Sequence, residues 1–231
     1  MNTTFDGFPK EMFRFLSDLA GNNNREWFSN NKDRYESFVV APVTRFIEVV
    51  GEFLPTLSDA YVADTRRNGG SMFRIYRDTR FSKDKRPYKE NVGCQFRHTA
   101  GKNAHAPGFY VHLAPTEVFF GGGIWKPDNH SLDKIRNHIA GNPEQWSSVI
   151  KDTVFSKYFG KLQGESLKRP PRGFDPSNPH IEDLKRKSYI AFRHVKPQSA
   201  LTPTFIREAE KAFATAMPLM RFITSALEIR N

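Results

Sequence analysis

The chain has 231 residues, of which 38% are hydrophobic and 21 are phenylalanine, and this aromatic content excludes an intrinsically disordered protein. Its formal net charge of +10 favours anionic partners such as nucleic acid or nucleotides. The single cysteine, Cys94, excludes an internal disulfide framework and paired-cysteine metal sites, and no apolar stretch is long enough for a membrane span. We therefore expect a cytoplasmic protein without membrane contact, because a free cysteine is typical of a reducing compartment.

The positive charge is concentrated in two blocks of the sequence. Residues 61–100 contain ten basic and four acidic residues, and residues 161–200 contain nine basic and four acidic ones. Residues 1–60 have the opposite balance, with six basic and nine acidic residues. An anionic ligand is therefore expected to bind the middle of the chain.

The first predicted elements are helices. Apolar residues recur at three- and four-residue spacing over positions 9–20, which predicts a helix that ends at Gly21. Three asparagines follow and are expected to cap a second helix, with Glu26 closing a capping box onto Asn23. The helical period continues to about Leu57, although Pro42 is expected to break or kink this run.

The pattern then changes to a period of two, which predicts half-buried antiparallel strands. The predicted strands lie at about 73–76, 92–97, in a hairpin over 109–121, and at 188–195. If their apolar sides face the helices, the opposite face carries Arg74, Tyr76, Gln95, Arg97, Tyr110, His112, Tyr189 and Arg193. Such a face could stack planar rings while its arginines hold phosphates, or it could be an ordinary solvated sheet surface.

Further helices are predicted at 129–140 and 143–151, and a last helix from Thr202 toward Leu227. Strands and helices do not alternate, which argues against a doubly wound parallel sheet. We therefore predict an α+β fold, an antiparallel sheet with helices packed mainly on one face. A single domain is expected over 1–231, with N-terminal helices at 9–57, sheet and helices at 70–195 and a C-terminal helix at 203–229.

The segment FRIYRDTRFSKDKRPYKE, residues 73–90, contains seven basic residues and three acids. It follows a predicted strand, and loops at sheet ends commonly hold functional residues. Arginine and lysine in such a loop can bind phosphate oxygens. Alternatively, Asp78 and Asp84 pair with neighbouring cations in a solvated turn.

The same segment carries a family resemblance. FRIYRDTRFSKDKRPYK, together with the upstream NNNREWF and the downstream GGGIW, resembles a family of bacterial and fungal conserved hypothetical proteins, a domain-of-unknown-function family. The resemblance extends from Phe8 to the final helix. It implies membership of that family and leaves the function open.

Three functions follow as hypotheses. The first is an anion-binding module for nucleic acid or a nucleotide-like ligand. The second is an enzyme on a phosphorylated or carboxylated substrate, with Asp78 or Asp84 as general base or metal ligand. The third is a protein-interaction scaffold that uses the acidic and basic parts of the chain.

The residues predicted to bind the ligand are Arg74, Tyr76, Arg77, Arg80, Lys83, Lys85, Tyr88, Lys89 and Arg193. A subset, with Asp78, is expected to converge on one pocket: Arg74, Arg77, Arg80, Tyr88 and Arg193. On that hypothesis, Arg77→Ala or Arg80→Ala weakens anion binding by on the order of 1–3 kcal/mol per lost charge-assisted bond.

The remaining motifs do not indicate a phosphate loop or a metal site. The Gly121–Gly123 run lacks the Gly-Lys-Ser/Thr ending of a phosphate loop, and its glycines are expected to end a strand or to permit a close approach. Trp125 is interpreted as a core side chain in preference to a lid. The histidines show no metal-binding spacing, so neither a metal nor a cofactor is predicted.

Overall fold

The computed structural model describes residues 4–102 and 106–230, and these form a five-stranded antiparallel sheet with helices on one face. The spatial order of the strands follows the chain: β1 Tyr61–Val62, β2 Val92–His98, β3 Gly108–Leu113, β4 Val118–Ile124 and β5 Tyr189–Val195. The helices are α1 Lys10–Gly21, α2 Arg25–Asn30, α3 Lys32–Tyr35, α4 Ala41–Leu57, α5 Asn129–Gly141, α6 Pro143–Ile150, α7 Thr153–Phe159, α8 Ile181–Leu184 and α9 Phe205–Ala226. The α+β prediction is confirmed.

The N-terminal helices differ from the prediction in two places. Helix α3 continues through a π-helical turn, Glu36–Val40, directly into α4. Pro42 lies in the first turn of α4, where a missing N–H leaves no helical bond unmade, so it does not break the run. The cap of α2 is Asn24, whose side chain accepts from Trp27 N, and not Asn23.

Helix α9 covers the inner face of the sheet. Phe213 of α9 stacks on Phe109 of β3 with ring centroids 4.5 Å apart, and Phe205 meets Phe120 of β4 edge-on at 5.5 Å. All four rings are fully buried, and burial of this kind of side chain contributes about 1.5–3 kcal/mol each. Pro218 lies inside α9 without ending it. None of the described helices is long and apolar enough to cross a membrane.

The strand register defines the outer face. Gln95, Tyr110, Gly121 and Phe192 are aligned across β2 to β5, on the side opposite the helices. Arg193 is aligned with the buried Phe120 and therefore lies on the helix side.

The predicted placement of Tyr189 and Arg193 on the outer face was therefore wrong. Both faces of β5 contain aromatic residues, so alternation alone could not decide which side is turned toward the helices. Tyr189 is fully buried against Trp146 of α6, while Phe192 is half-buried on the outer face.

The predicted strand at 73–76 is replaced by isolated pairings. Met72 pairs with Cys94 beside the edge of β2, and Tyr76 pairs with Tyr88. The chain thus leaves the sheet after Phe73 and returns through a narrow excursion, which we call the motif loop (residues 74–89).

Candidate functional site

The base of the motif loop is closed and anchored. Arg77 N donates to Pro87 O at 2.9 Å, and Lys89 N donates to Ile75 O at 2.7 Å. Tyr88 is buried and stacks on Phe28 of α2 with ring centroids 4.2 Å apart. These contacts hold the loop against the N-terminal helices.

The carboxylates of the motif loop are paired inside the loop. Asp84 lies 2.7 Å from both Arg86 and Arg77, and Asp78 lies 2.7 Å from Arg80. Hydrogen bonds from Arg86, and then from Arg77, lower the pKa of Asp84, and the bond from Arg80 lowers the pKa of Asp78. A carboxylate with a lowered pKa is a weaker base, so these pairs do not favour proton abstraction.

The structure does not bring the predicted ligand-binding residues together in one pocket. Arg193 donates to Tyr158 O at 3.1 Å on the helix side of the sheet, away from the motif loop. The Arg80 side chain is 78% exposed and paired with Asp78. Lys83 is exposed, and Lys85 donates to Thr79 O. The predicted pocket, which joined Arg193 and Tyr88 to Arg74, Arg77, Asp78 and Arg80, was therefore wrong. The individual roles of the predicted ligand-binding residues stay predictions.

A cavity of about 770 Å³ lies on the outer face of the sheet instead. Tyr110 is central to it, with ring centroids 6.1 Å from Phe73, 6.0 Å from Phe192 and 5.9 Å from Phe119. These four half-buried rings form what we call the ring row. A volume of this size suits a small-molecule ligand or a short segment of a polymer.

Trp125 stands at the rim of this cavity. Its side chain is 58% exposed and lines the cavity, so its interpretation as a core side chain was wrong. The residue follows β4 directly, where the chain leaves the sheet and Lys126 adopts a positive φ of 44°. Its ring is available for contact with a ligand.

Glycines form part of the cavity lining. Gly108 and Gly123 are paired across β3 and β4 and both line the cavity. Gly123 has φ 139°, and a Cβ there would lie 2.1 Å from Tyr189 O of the neighbouring strand. A close backbone approach, which was expected for the Gly121–Gly123 run, is confirmed at Gly123.

Three cations gather where the cavity meets the edge of the sheet. Lys89 Nζ lies 5.3 Å from the centroid of the Phe73 ring, and the Arg97 guanidinium carbon lies 6.0 Å from it. Burial, and then the charge of Arg74, lower the pKa of Lys89. Within residues 4–102 and 106–230, none of these three cations has a carboxylate within 4.0 Å. We call Arg74, Lys89 and Arg97 the open cation cluster.

Sequence reasoning missed four aromatic residues of the cavity, which are Phe73, Phe119, Phe192 and Trp125. In a strand with the sequence EVFFGG, Phe119 lies on the face opposite to Val118 and Phe120, so this alternation could have predicted its position. Phe192 was assigned to the wrong face because its strand has rings on both sides. Exposure of Trp125 depends on the backbone leaving the sheet, which the residue pattern does not show.

A second cleft, of about 570 Å³, contains a serine, a histidine and an aspartate between α6 and α8. Ser147 Oγ lies 3.1 Å from His180 Nε2, and His180 Nδ1 lies 3.7 Å from Asp183 Oδ2. The second distance is too long for a hydrogen bond, and Asp183 already accepts bonds from Trp146 and Arg186. Ser147 lies inside a helix, where backbone N–H groups bond within the helix and are not free to stabilise an oxyanion. These three residues therefore connect two helices and do not have the geometry of a nucleophile with its base.

Comparison with known proteins gives one family. A family model described as a conserved hypothetical protein (DUF2461) matches residues 11–222. No curated protein matches the chain. Among the described residues, no group of three or more histidine, cysteine or acidic side chains is placed to hold a metal ion.

Proposed function

We propose that this chain, which belongs to the DUF2461 family of conserved hypothetical proteins, binds a phosphate-bearing ligand with a planar ring on the outer face of its sheet. The ligand class is nucleotide or nucleic acid. The observation that carries the proposal is the ring row, which lines one cavity and ends at the open cation cluster.

The two parts of the site suit the two parts of such a ligand. Aromatic side chains stack on heterocyclic bases, and each stacked base contributes about 1–3 kcal/mol. Tyr110 also offers a hydroxyl, which lies 3.3 Å from His112 Nδ1. The Gln95 amide lines the same cavity and adds hydrogen-bonding groups within reach of a ring edge.

The open cation cluster supplies charge for the phosphate. The other three arginines of the segment are already paired with carboxylates: Arg77 with Asp84, Arg86 with Asp84 and Glu90, and Arg80 with Asp78. Arg74, Lys89 and Arg97 have no carboxylate partner among the described residues, so their positive charges are left for an outside anion. The proposed phosphate site therefore lies at the base of the motif loop and not at its tip.

The enzymatic hypothesis receives less support. Asp78 and Asp84 would need to abstract a proton or hold a metal, but both accept hydrogen bonds from arginine side chains. Neither residue lines the cavity. The paired acids match the solvated-turn alternative considered for this segment.

Isothermal titration with three compounds tests the proposal: a nucleoside monophosphate, the matching nucleoside and inorganic phosphate. We expect the nucleotide to bind more tightly than either of its halves, since only the nucleotide meets both the rings and the cations. Phe192→Ala should weaken the nucleotide and the nucleoside, whereas Arg97→Gln should weaken the nucleotide and phosphate. Each loss should be about five- to 150-fold, corresponding to about 1–3 kcal/mol.

Arg80→Gln is the matched control, because it removes an arginine of the same segment that is paired with Asp78. It should leave the affinity within about twofold. Thermal unfolding of each variant checks that the fold is retained. Equal weakening by Arg80→Gln and Arg97→Gln would contradict the proposed site. It would also be contradicted if all three compounds failed to bind.

A further inference from the structure

The two basic blocks of the sequence lie at opposite edges of one sheet. Residues 61–100 include β1, β2 and the open cation cluster, and residues 161–200 include β5. Because the strand order is β1-β2-β3-β4-β5, the first block forms one edge and the second block forms the other. The two middle strands belong to residues 101–160, which contain six basic and five acidic residues and are nearly neutral.

The second edge is covered by a segment that precedes β5 in the chain. Gln163 N donates to Ile190 O at 2.9 Å, and the Gln163 side chain donates to Phe192 O at 2.8 Å. Leu167 N donates to Lys185 O at 2.8 Å. Residues 161–167 therefore run along the outside of β5 and of the turn before it.

This second edge contains exposed cations. Lys161, Lys168 and Arg169 are exposed and, in the part of the chain that the structure describes, have no carboxylate within 4.0 Å. By contrast, Lys126 and Lys187 both pair with Glu165 at 3.2 Å. The unpaired cations thus stand at both edges of the sheet, and the ring row lies between them.

The distance between the edges exceeds what one nucleotide covers. The residues beside β2 and those beside β5 are five strand spacings apart. At about 4.8 Å for each spacing, the distance is roughly 24 Å. A single nucleotide that reaches the open cation cluster therefore leaves the β5 edge unoccupied. Antiparallel sheets with rings on an open face stack two or three unpaired bases of one strand.

From this arrangement we infer that the ligand is single-stranded nucleic acid, crossing the strands from the β2 edge to the β5 edge. The inference rests on the proposed function and adds the length and the path of the ligand. Bases stack on the ring row, and backbone phosphates meet Arg97 and Lys89 at one edge and Lys161 and Lys168 at the other. Duplex is excluded by the same geometry, because its bases are stacked on each other and cannot lie on protein rings.

Fluorescence polarisation with a labelled single strand of about ten nucleotides tests the inference, since single-strand sites span about 4–16 nucleotides. Unlabelled mononucleotide and the matching duplex serve as competitors. We expect the single strand to bind at least about tenfold more tightly than either competitor. Between about 50 and 200 mM salt, its affinity should fall with a logarithmic slope of about 0.7 per phosphate contacted.

Two double variants separate the edges. Lys161→Ala with Lys168→Ala should weaken the single strand and lower the salt slope by about 1.4, since each lost phosphate contact removes about 0.7. The same variant should leave mononucleotide binding unchanged. Lys89→Ala with Arg97→Ala should weaken both ligands. Lys151→Ala is the matched control. This exposed lysine follows α6 in the helical layer, so its replacement should alter neither affinity.

The outcomes are distinguishable. If the mononucleotide binds as tightly as the single strand, or if the Lys161 and Lys168 variant has no effect, the crossing path is wrong and the proposed function stands. Tighter binding of the duplex also overturns the path. If neither single strand nor mononucleotide binds at low salt, both the path and the proposed function fail.

Discussion

Asn23 holds the backbone of Tyr88 with both polar atoms of its side-chain amide. The oxygen accepts from Tyr88 N at 3.1 Å, and the nitrogen donates to Tyr88 O at 3.1 Å. The same nitrogen donates to Glu90 Oε1 at 2.8 Å. Two stretches that are distant in sequence, NNNREWF and the motif loop, are thereby joined, and Phe28 of the first stretch stacks on Tyr88 of the second.

Removal of the Asn23 hydrogen bonds to the Tyr88 backbone should loosen the motif loop. Asn23→Ala leaves the backbone N–H and C=O of the buried Tyr88 without their partner, and an unsatisfied buried group costs about 1–3 kcal/mol. We expect that decrease in the free energy of unfolding, measured by chemical denaturation, together with faster amide hydrogen exchange at Tyr88. Asn22→Ala is the control, because its exposed side chain bonds only to Asp18 O one turn earlier. Equal losses of unfolding free energy in the two variants would argue against a stabilising role of the Asn23 hydrogen bonds.

Gly123→Ala should destabilise the sheet. The new Cβ would lie 2.1 Å from Tyr189 O, and φ at this position is 139°, a value that alanine disfavours. We expect a loss of about 2–5 kcal/mol in unfolding free energy, since backbone strain and overpacking each cost on the order of 1–3 kcal/mol. Gly141→Ala at the end of α5 meets nothing within 4 Å and should be neutral or stabilising. A fully stable Gly123→Ala variant would show that β4 and β5 can separate without cost.

Asp84→Asn should alter the acid dependence of stability. Hydrogen bonds from Arg86 and Arg77 lower the pKa of Asp84 below its ordinary value of 3.8. A lowered carboxyl pKa stabilises the folded protein above pH 3.8, and the contribution is lost as the pH falls toward the lowered pKa. The variant should therefore melt below the wild type at neutral pH, with the difference shrinking below pH 3.8.

High salt is the control for this experiment. Asp84 and its two arginine partners are partly exposed to solvent, so screening at about 1 M salt should reduce the difference in melting temperature at neutral pH. A difference that is constant from neutral to acid pH would show that the carboxyl charge of Asp84 does not contribute to folding.

His112, which stacks on Phe119 on the outer face of the sheet, predicts a second pH dependence of stability. Burial lowers the pKa of His112 from 6.5, His194 lowers it further, and Glu117 opposes this change. The ring stacks on Phe119 at 4.6 Å with an angle of 4° between the planes. Folding thus disfavours the charged ring, so stability is full above pH 6.5 and decreases as the pH falls toward the lowered pKa.

The measurement compares unfolding free energies at about pH 7.5 and about pH 5.5, the range in which histidine titrates. The loss on acidification should be smaller in His112→Gln than in the wild type. His130→Gln removes an exposed histidine of α5 and should keep the wild-type loss. Identical pH dependence in all three proteins would rule out a contribution from His112.

The sequence predicted those elements whose two sides differ clearly. In β2, the apolar Val92, Cys94 and Phe96 alternate with small or polar residues, and the structure buries all three. The helices at 129–140 and 143–151 were likewise predicted almost to the residue. Strand β5 was placed correctly along the chain, but its faces were exchanged because both have aromatic residues.

The sequence predicted an anion site, which stays a prediction, but it did not predict where the cavity and the unpaired cations lie. The cation-rich segment indicated an anion site, yet pairing of Asp84 with two arginines depends on the path of the motif loop, which residue patterns do not specify. The open cation cluster combines Arg74 and Lys89 of the motif loop with Arg97 of β2. Lys89 and Arg97 lie 5.3 and 6.0 Å from the centroid of the Phe73 ring, and no spacing in the sequence encodes that proximity.

The steric role of Gly123 limits how the shape of the cavity can change. Gly123 lines the cavity, but a side chain there collides with the neighbouring strand, so a substitution that made the floor shallower would first have to survive as a folded protein. The rim is under no such restriction, because Trp125 is exposed there and its replacement breaks no buried contact of the core. The fold therefore constrains the depth of the cavity, whereas the shape of its entrance can change at little cost in stability.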